Sequence, residues 1–323
     1  MRAAQVVTPT GPADIEIREA PEPTPGPDDV LIEVHRVGVS FPDLLLSRGE
    51  YQMKPEPPFT LGVDVAGTVV SAPDGTFAPG QRVAGVLPWG GAGERAAVPA
   101  VCTFALPDSI SFDEGAALPM NYLTAQFALA ERGDLKAGET VLVHGAAGGV
   151  GTATIQVAKG MGARVIAVVS TDEKARVATD AGADDAVLVE GFKDAVKELT
   201  GGAGVDVILD VVGGDLFTDS LRSLSTQGRL LVVGFAAGGG IPEVRVNRLL
   251  LNNVDVRGVG WGAFAMLRPG YMQEQWAALV PMMESGVVKP PVGAVYEMAD
   301  FGQALLDMDE RRTLGKSVVK VVS

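Results

Sequence analysis

The run Val141-Leu142-Val143-His144 ends in Gly145-Ala146-Ala147-Gly148-Gly149-Val150-Gly151, and this turn constrains the chain more than any other feature. After it, Val150, Ala153, Thr154, Val157, Ala158 and Met161 recur at helical spacing. The pattern is G-x-G-x-x-G, with Ala146 at the first glycine position and Gly148 and Gly151 at the others. Gly148 lets the backbone approach a pyrophosphate, and Gly151 lets the helix lie close to the strand. The free N–H groups at the helix start then face the phosphates. Ala147, Gly148, Gly149 and Val150 are therefore candidate cofactor-binding residues. A plain tight turn is the alternative reading. The strand before, the helix after and a further strand beyond favour a dinucleotide site.

The segments around the turn place it in a layered fold. Residues 164–170 form the next apolar run, Glu173 to Ala181 suits a helix, and Gly182 supplies its stop. Further strand candidates are 205–212, 229–234 and 254–259, with helical segments between most of them. Such alternation predicts a parallel sheet covered on both faces. The first 120 residues read mainly as β structure instead. Val30, Ile32 and Val34 alternate with Leu31, Glu33 and His35, and 62–70 suggests another strand. The last segment, 261–323, is mixed, with helices near 271–285 and 299–309 and a terminal strand, Lys316 to Val322. The order suggests that this last part rejoins the first domain. The expected division is a β-rich domain over 1–121 with 261–323, and a dinucleotide-binding domain over 122–260.

Composition narrows the partners. The net charge is −14, and no basic footprint for nucleic acid stands out. No apolar run approaches the ~18 residues of a membrane span, and the N-terminus lacks the apolar stretch of a signal peptide. A cytoplasmic protein is expected. The lone cysteine, Cys102, cannot form an intrachain disulfide, and with two histidines, His35 and His144, it leaves little room for a zinc site.

Where the second apolar run of the dinucleotide unit ends, an acidic residue normally takes the ribose 2′-hydroxyl of NAD. This chain has Ser170-Thr171-Asp172-Glu173-Lys174. A small neutral residue leaves room for a 2′-phosphate, and Lys174 can pair with it. Ser170, Thr171 and Lys174 thus favour NADP(H). A solvated Lys174 and an Asp172 turned to the ribose are the alternatives. Ligands bind at the carboxyl ends of strands in such sheets, so Gly213, Gly234, Phe235, Val259, Gly260 and Trp261 are further cofactor candidates, although turn glycines need no ligand to explain them.

Other stretches carry a family likeness: Gly38-Val-Ser-Phe-Pro-Asp43, Arg48-Gly49-Glu50-Tyr51, Leu61-Gly-Val-Asp-Val-Ala-Gly67, Pro79-Gly80-Gln81-Arg82-Val83, Asp210-Val-Val-Gly213 and Arg311-Arg-Thr-Leu-Gly315-Lys316. With the glycine turn, they resemble the zinc-free quinone oxidoreductases of the medium-chain dehydrogenase/reductase superfamily, along essentially the whole chain. The resemblance implies an α/β protein with two parts. One is a GroES-like, partly open β-barrel catalytic domain; the other is a Rossmann domain with a doubly wound parallel sheet. It also implies a cleft active site and, for most members, a homodimer. Zinc-dependent relatives place a ligand cysteine where Ser40 stands and a histidine–glutamate pair where Val63-Asp64 stands, so no metal site is expected. The tyrosine that quinone reductases often carry near the 2′-phosphate aligns with Val189.

The resemblance suggests Tyr51 as a substrate contact or late proton donor and Ser40 as a neighbour of the nicotinamide. Thr124 matches a cofactor contact, and Arg311 matches a position near the adenosine phosphates. Packing, turn and salt-bridge roles are the alternatives. Asp43 reads as structural, and Trp89 as a wall of the cleft or a packing residue. Reducing a simple ketone puts charge on one oxygen, which a metal or strong donor stabilises. A quinone or enone spreads that charge over a conjugated system. The expected activity is zinc-independent, NADPH-dependent reduction of a quinone or α,β-unsaturated carbonyl. An enoyl thioester reductase and a non-catalytic NADPH-binding protein are the alternatives.

Overall fold

In this computed structural model residues 1–238 and 240–321 are described. In chain order the strands are Arg2–Val6 (β1), Ile15–Glu19 (β2), Asp29–Gly38 (β3), Phe59–Thr60 (β4), Asp64–Ser71 (β5), Arg82–Val86 (β6), Arg95–Pro99 (β7) and Thr103–Ala105 (β8). Then come Thr140–His144 (β9), Arg164–Val169 (β10), Asp185–Leu188 (β11), Val205–Asp210 (β12), Leu224–Val232 (β13), Asp255–Gly258 (β14), Val292–Glu297 (β15) and Lys316–Lys320 (β16). The helices are Phe41–Ser47 (α1), Phe112–Ala117 (α2), Pro119–Gln126 (α3), Gly149–Gly160 (α4), Asp172–Asp180 (α5) and Phe192–Leu199 (α6). They continue with Leu216–Ser223 (α7), Asn247–Asn252 (α8), Trp261–Ala265 (α9), Tyr271–Glu284 (α10) and Phe301–Asp309 (α11).

The chain divides into two compact units. The first comprises Met1–Met120, Pro269–Val280 and the chain from Pro290 on; the second comprises Asn121–Arg268 and Pro281–Lys289. Helix α10 thus contributes to both, and residues 261–268 and 281–289 pack with the second unit.

The first unit is built on antiparallel pairing, apart from the parallel pair β15–β16. A long sheet runs β15-β16-β3-β5-β6-β8, with β7 also paired to β3, and a smaller one runs β2-β1-β4. The alternation in β3 has a direct cause. Val30, Ile32 and Val34 are fully buried in the apolar cluster, while their neighbours point the other way. Strand β16 pairs with β3 through Val318–Gly38, Val319–Val37 and Lys320–Arg36. The C-terminal segment therefore completes a sheet begun near the N-terminus. Val322, placed in this strand by the sequence pattern, lies outside the described residues.

The second unit holds a six-stranded sheet in the order β11-β10-β9-β12-β13-β14, every pair parallel. In chain order within this sheet that is 3-2-1-4-5-6, the doubly wound dinucleotide-binding order. Strands β9, β10 and β12 are buried almost end to end. Helices cover both faces of such a sheet, so its strands read as continuous apolar runs. The order reverses between β9 and β12, and in such sheets ligands bind beyond the carboxyl ends of the strands at this point. The glycine turn follows β9, and Val211-Val212-Gly213 follows β12.

Candidate functional site

In the second unit the site begins at the turn from β9 into α4. Gly148 donates its N–H to the Gly145 carbonyl at 3.0 Å, and the first rung of α4 runs from Thr152 N–H to Gly148 O at 2.9 Å. The N–H groups of Gly149, Val150 and Gly151 precede that rung. They form the positive end of a 12-residue helix, a ready anion site. A Cβ on Gly151 would stand 2.2 Å from Gly145 O and 2.7 Å from Ala146 Cα. The turn can therefore close against the helix only with glycine there. Ala147 is buried, and Gly148, Gly149 and Val150 are half-buried. Thr124, on α3, is buried. One turn earlier on the same helix, Asn121 is buried with its amide nitrogen unpartnered, a feature that the sequence reading passed over. The donors of this turn fit a dinucleotide's phosphates.

The end of β10 forms a second, exposed corner. Thr171 caps α5, its hydroxyl accepting from Lys174 N–H at 3.3 Å. The Lys174 ammonium donates to Ser170 Oγ at 3.3 Å. Ser170, Thr171 and Lys174 are thus brought together, with Asp172 and Glu173 in the same first turn. Val189 packs against the apolar core of this unit.

Beyond β12, Asp210 is buried and one carboxylate oxygen accepts from Val212 N–H at 2.8 Å and Gly213 N–H at 2.9 Å. The Gly213 turn leans on Phe235, whose ring lies 2.9 Å from the place a Cβ on Gly213 would take. Ala236 and Ala237, just after Gly234 and Phe235, donate back to Val211 and Val212. The loops after β12 and β13 therefore form one rim. Val259 N–H bonds to Val232 O at 2.9 Å, Gly260 is exposed, and Trp261 is buried at the start of α9.

In the first unit Ser40 belongs to a buried polar cluster. Its hydroxyl donates to Asp64 Oδ2 at 2.6 Å and accepts from the Lys316 ammonium. Lys316 also donates to Asp64 Oδ2 at 2.8 Å, and Asp64 Oδ1 accepts from Met120 N–H at 2.8 Å. With its proton given to Asp64 and one lone pair taken by Lys316, Ser40 keeps one lone pair, suited to an N–H donor. Val63 is buried in the apolar core. Among the described residues no group of three or more His, Cys, Asp or Glu side chains is placed to hold a metal ion.

Asp43 accepts from Gly62 N–H at 2.8 Å and Ser40 N–H at 3.2 Å, tying α1 to the loop before β5. Tyr51 is half-buried against the apolar core; burial, with a smaller contribution from the Asp43 charge, pushes its phenol above the usual range. Trp89, with Phe59, Pro55 and Pro58, lines a cavity of about 520 Å³. Arg311 is exposed just past α11, in the left-handed region at φ 59°.

The two histidines and the cysteine are packing residues. His35 stacks on Phe112 at 4.3 Å, and burial lowers its pKa. His144 meets Ser220 Oγ at 2.8 Å and Phe192 edge-on, and burial pulls it down to about 4. Burial pushes the Cys102 thiol up.

The two units match known families. A zinc-binding dehydrogenase family model matches residues 149–285, and an alcohol dehydrogenase GroES-like domain model matches 26–108. Quinone oxidoreductase-like protein 2 of Rattus norvegicus is 38% identical over 307 residues, covering 94% of this chain and 87% of that protein. A probable oxidoreductase from Mycobacterium abscessus superposes with a TM-score of 0.90 at 43% identity, covering 99% of this chain and 98% of that one. The quinone oxidoreductase of Thermus thermophilus, solved also as its complex with NADPH, gives 0.85 at 34% identity, covering 99% and 100%. The chain belongs to the quinone oxidoreductase family of the medium-chain dehydrogenase/reductase superfamily.

The Asp43 carboxyl carries a pH signature. It is fully buried, and burial pushes it from 3.8 up to about 7; the Asp64 charge adds to this, while the Gly62 N–H, Lys316 and the Ser40 N–H oppose it. An acid whose folded pKa is raised stabilises the fold at low pH, and that contribution fades as pH rises through the folded value. The unfolding free energy of the wild type minus that of Asp43→Asn should therefore fall between about pH 4 and about pH 8 in urea titrations, at about 1.4 kcal/mol per pKa unit displaced. A difference that stays flat across that window contradicts the assignment.

Proposed function

We propose that this oxidoreductase reduces quinones or related α,β-unsaturated carbonyls with NADPH and without a metal. The observation that carries the reading is the Ser40–Lys316–Asp64 cluster. Where zinc-dependent relatives place a ligand cysteine, this chain has a hydroxyl already engaged by an ammonium and a carboxylate. The neighbouring ligand position is the buried Val63. A substrate that spreads negative charge over a conjugated system suits a site built in this way.

When bound, NADPH supplies a hydride to the acceptor. The N–H groups at the start of α4, with Ala147 to Val150, hold its phosphates. Lys174 and Ser170 take the 2′-phosphate, Thr171 shapes that corner by capping α5, and Arg311 serves the adenosine phosphates. Thr124, with the rim of Gly213, Gly234, Phe235, Val259, Gly260 and Trp261, positions the rest of the dinucleotide. Ser40 offers its free lone pair to the nicotinamide carboxamide. Tyr51, protonated at neutral pH, delivers a proton to the reduced product.

Cofactor oxidation at 340 nm, with a benzoquinone, a cyclic enone and a crotonyl thioester as acceptors, tests this. Quinone or enone turnover supports the reading, and preference for the thioester moves the substrate class. Tight NADPH binding without turnover favours a binding role. Lys174→Ala should raise the KM for NADPH about tenfold and leave NADH unchanged; an equal loss for both removes the 2′-phosphate assignment. Tyr51→Phe should lower kcat about tenfold at unchanged KM for NADPH, and an unchanged kcat returns Tyr51 to packing.

A homodimer is part of the same proposal. Strand β14 is a sheet edge; Val256 on it and Val246, Leu250 and Leu251 ahead of it are exposed. An open apolar edge is suited to pairing with a second copy. Light scattering should give twice the chain mass for the wild type and the chain mass for Val256→Lys. A monomeric wild type at micromolar concentration contradicts it. No helix among the described residues is long and apolar enough to cross a membrane. A cytoplasmic location, suggested by the lone Cys102, would be checked by cell fractionation.

A further inference from the structure

Asn121 stands in the first turn of α3, is nearly fully buried, and has an amide nitrogen with no hydrogen-bond partner. Leaving a buried donor unmade costs about 1–3 kcal/mol. The other buried atoms without partners include ring nitrogens of His35 and His144 and a carboxylate oxygen of Asp210. Those can be relieved by a tautomer or a proton, whereas an amide nitrogen always carries two hydrogens.

The place where this amide lies gives it a purpose. A Cβ on Gly149 would stand 2.5 Å from Asn121 Nδ2, 3.1 Å from its Cγ and 3.3 Å from its Oδ1. The carboxamide is therefore pressed against the first residue of α4, and Gly149 is the residue that admits it. Gly149 is outside the three glycine positions of the G-x-G-x-x-G pattern, so the turn itself does not demand it. The result is a side-chain donor beside the unused N–H groups of the helix N-terminus. Donors gathered without a protein acceptor are what an anion requires.

We propose that Asn121 is a further cofactor-binding residue: its Nδ2 donates to a non-bridging oxygen of the dinucleotide's pyrophosphate, and Gly149 is glycine to let it do so. This rests on the dinucleotide reading of the turn. It differs in kind from the role of Lys174, because the pyrophosphate is common to NADH, NADPH and ADP-ribose. Asn121 therefore sets affinity for all three without setting the choice between them. Removing an unsatisfied donor leaves the ligand-free fold no weaker. Gly149→Ala displaces the amide and reproduces its loss, but costs little once residue 121 is alanine.

The test is calorimetric titration of the full chain with NADPH, NADH and ADP-ribose, with melting temperatures of the ligand-free proteins. Asn121→Ala should weaken all three ligands by a similar factor, about tenfold, at an unchanged or higher ligand-free melting temperature. Asn121→Asp, which sets a carboxylate against the phosphates, should weaken them more. Gly149→Ala should match Asn121→Ala, and the double variant should bind no worse than Asn121→Ala alone. Unchanged affinity in Asn121→Ala, with a wild type that binds NADPH, overturns the proposal and leaves the dinucleotide reading standing. A lower ligand-free melting temperature with unchanged affinity makes Asn121 structural and also overturns it. A loss for NADPH but not for ADP-ribose moves the contact away from the phosphates and overturns it as well. A wild type that binds none of the three defeats the dinucleotide reading itself, and the proposal with it.

Discussion

The ion pair between Lys316 and Asp64 ties the last strand of the first unit to its interior. Both side chains are almost wholly buried, and β16 carries Lys316 into the sheet beside β3 and β5. Taking one partner away from such a pair leaves an uncompensated charge and costs about 3–5 kcal/mol. The pair is satisfied on several sides: Asp64 also accepts from Ser40 Oγ and Met120 N–H, and the ammonium also reaches Ser40. The same contacts fix what Ser40 can do, because they consume its proton and one of its lone pairs. The Ser40 hydroxyl is thereby oriented.

The second unit follows a different logic. Its parallel strands are buried on both faces, so hydrogen-bonding power collects at their carboxyl ends. There the chain reverses its strand order, and the N-terminus of α4 and the loop held by Asp210 meet the crevice. The unit gathers donors where phosphate belongs and a cation, Lys174, at the end of β10. Gly151 admits the close approach of the turn's backbone, and Gly149 admits the Asn121 side chain beside it.

The sequence made the second unit readable because fully buried parallel strands announce themselves as short apolar runs. β10 starts where the pattern places it, whereas β13 begins at Leu224, ahead of the apolar stretch from 229, because its first residues are not uniformly buried. The corner of Ser170, Thr171 and Lys174 is legible for the same reason that it is local: all three lie within one helical turn. The Ser40 cluster was legible only in part. Ser40 and Asp64 stand out as departures from the metal-binding pattern, but their partner Lys316 lies 276 and 252 residues away, and no local signal joins them. Asn121 was hidden for a similar reason. Its meaning comes from the amide meeting Gly149 across two helices, and the only trace in the sequence is a glycine more than the turn needs.

The proposed activity is hydride transfer to a conjugated carbonyl without help from a metal. The direct measurement uses chelator-treated protein, NADPH deuterated at both C4 positions, and a cyclic enone, with the product read by NMR. Deuterium on the carbon β to the carbonyl is the expected result. Deuterium on the carbonyl carbon, or a product formed only after metal is restored, would contradict it.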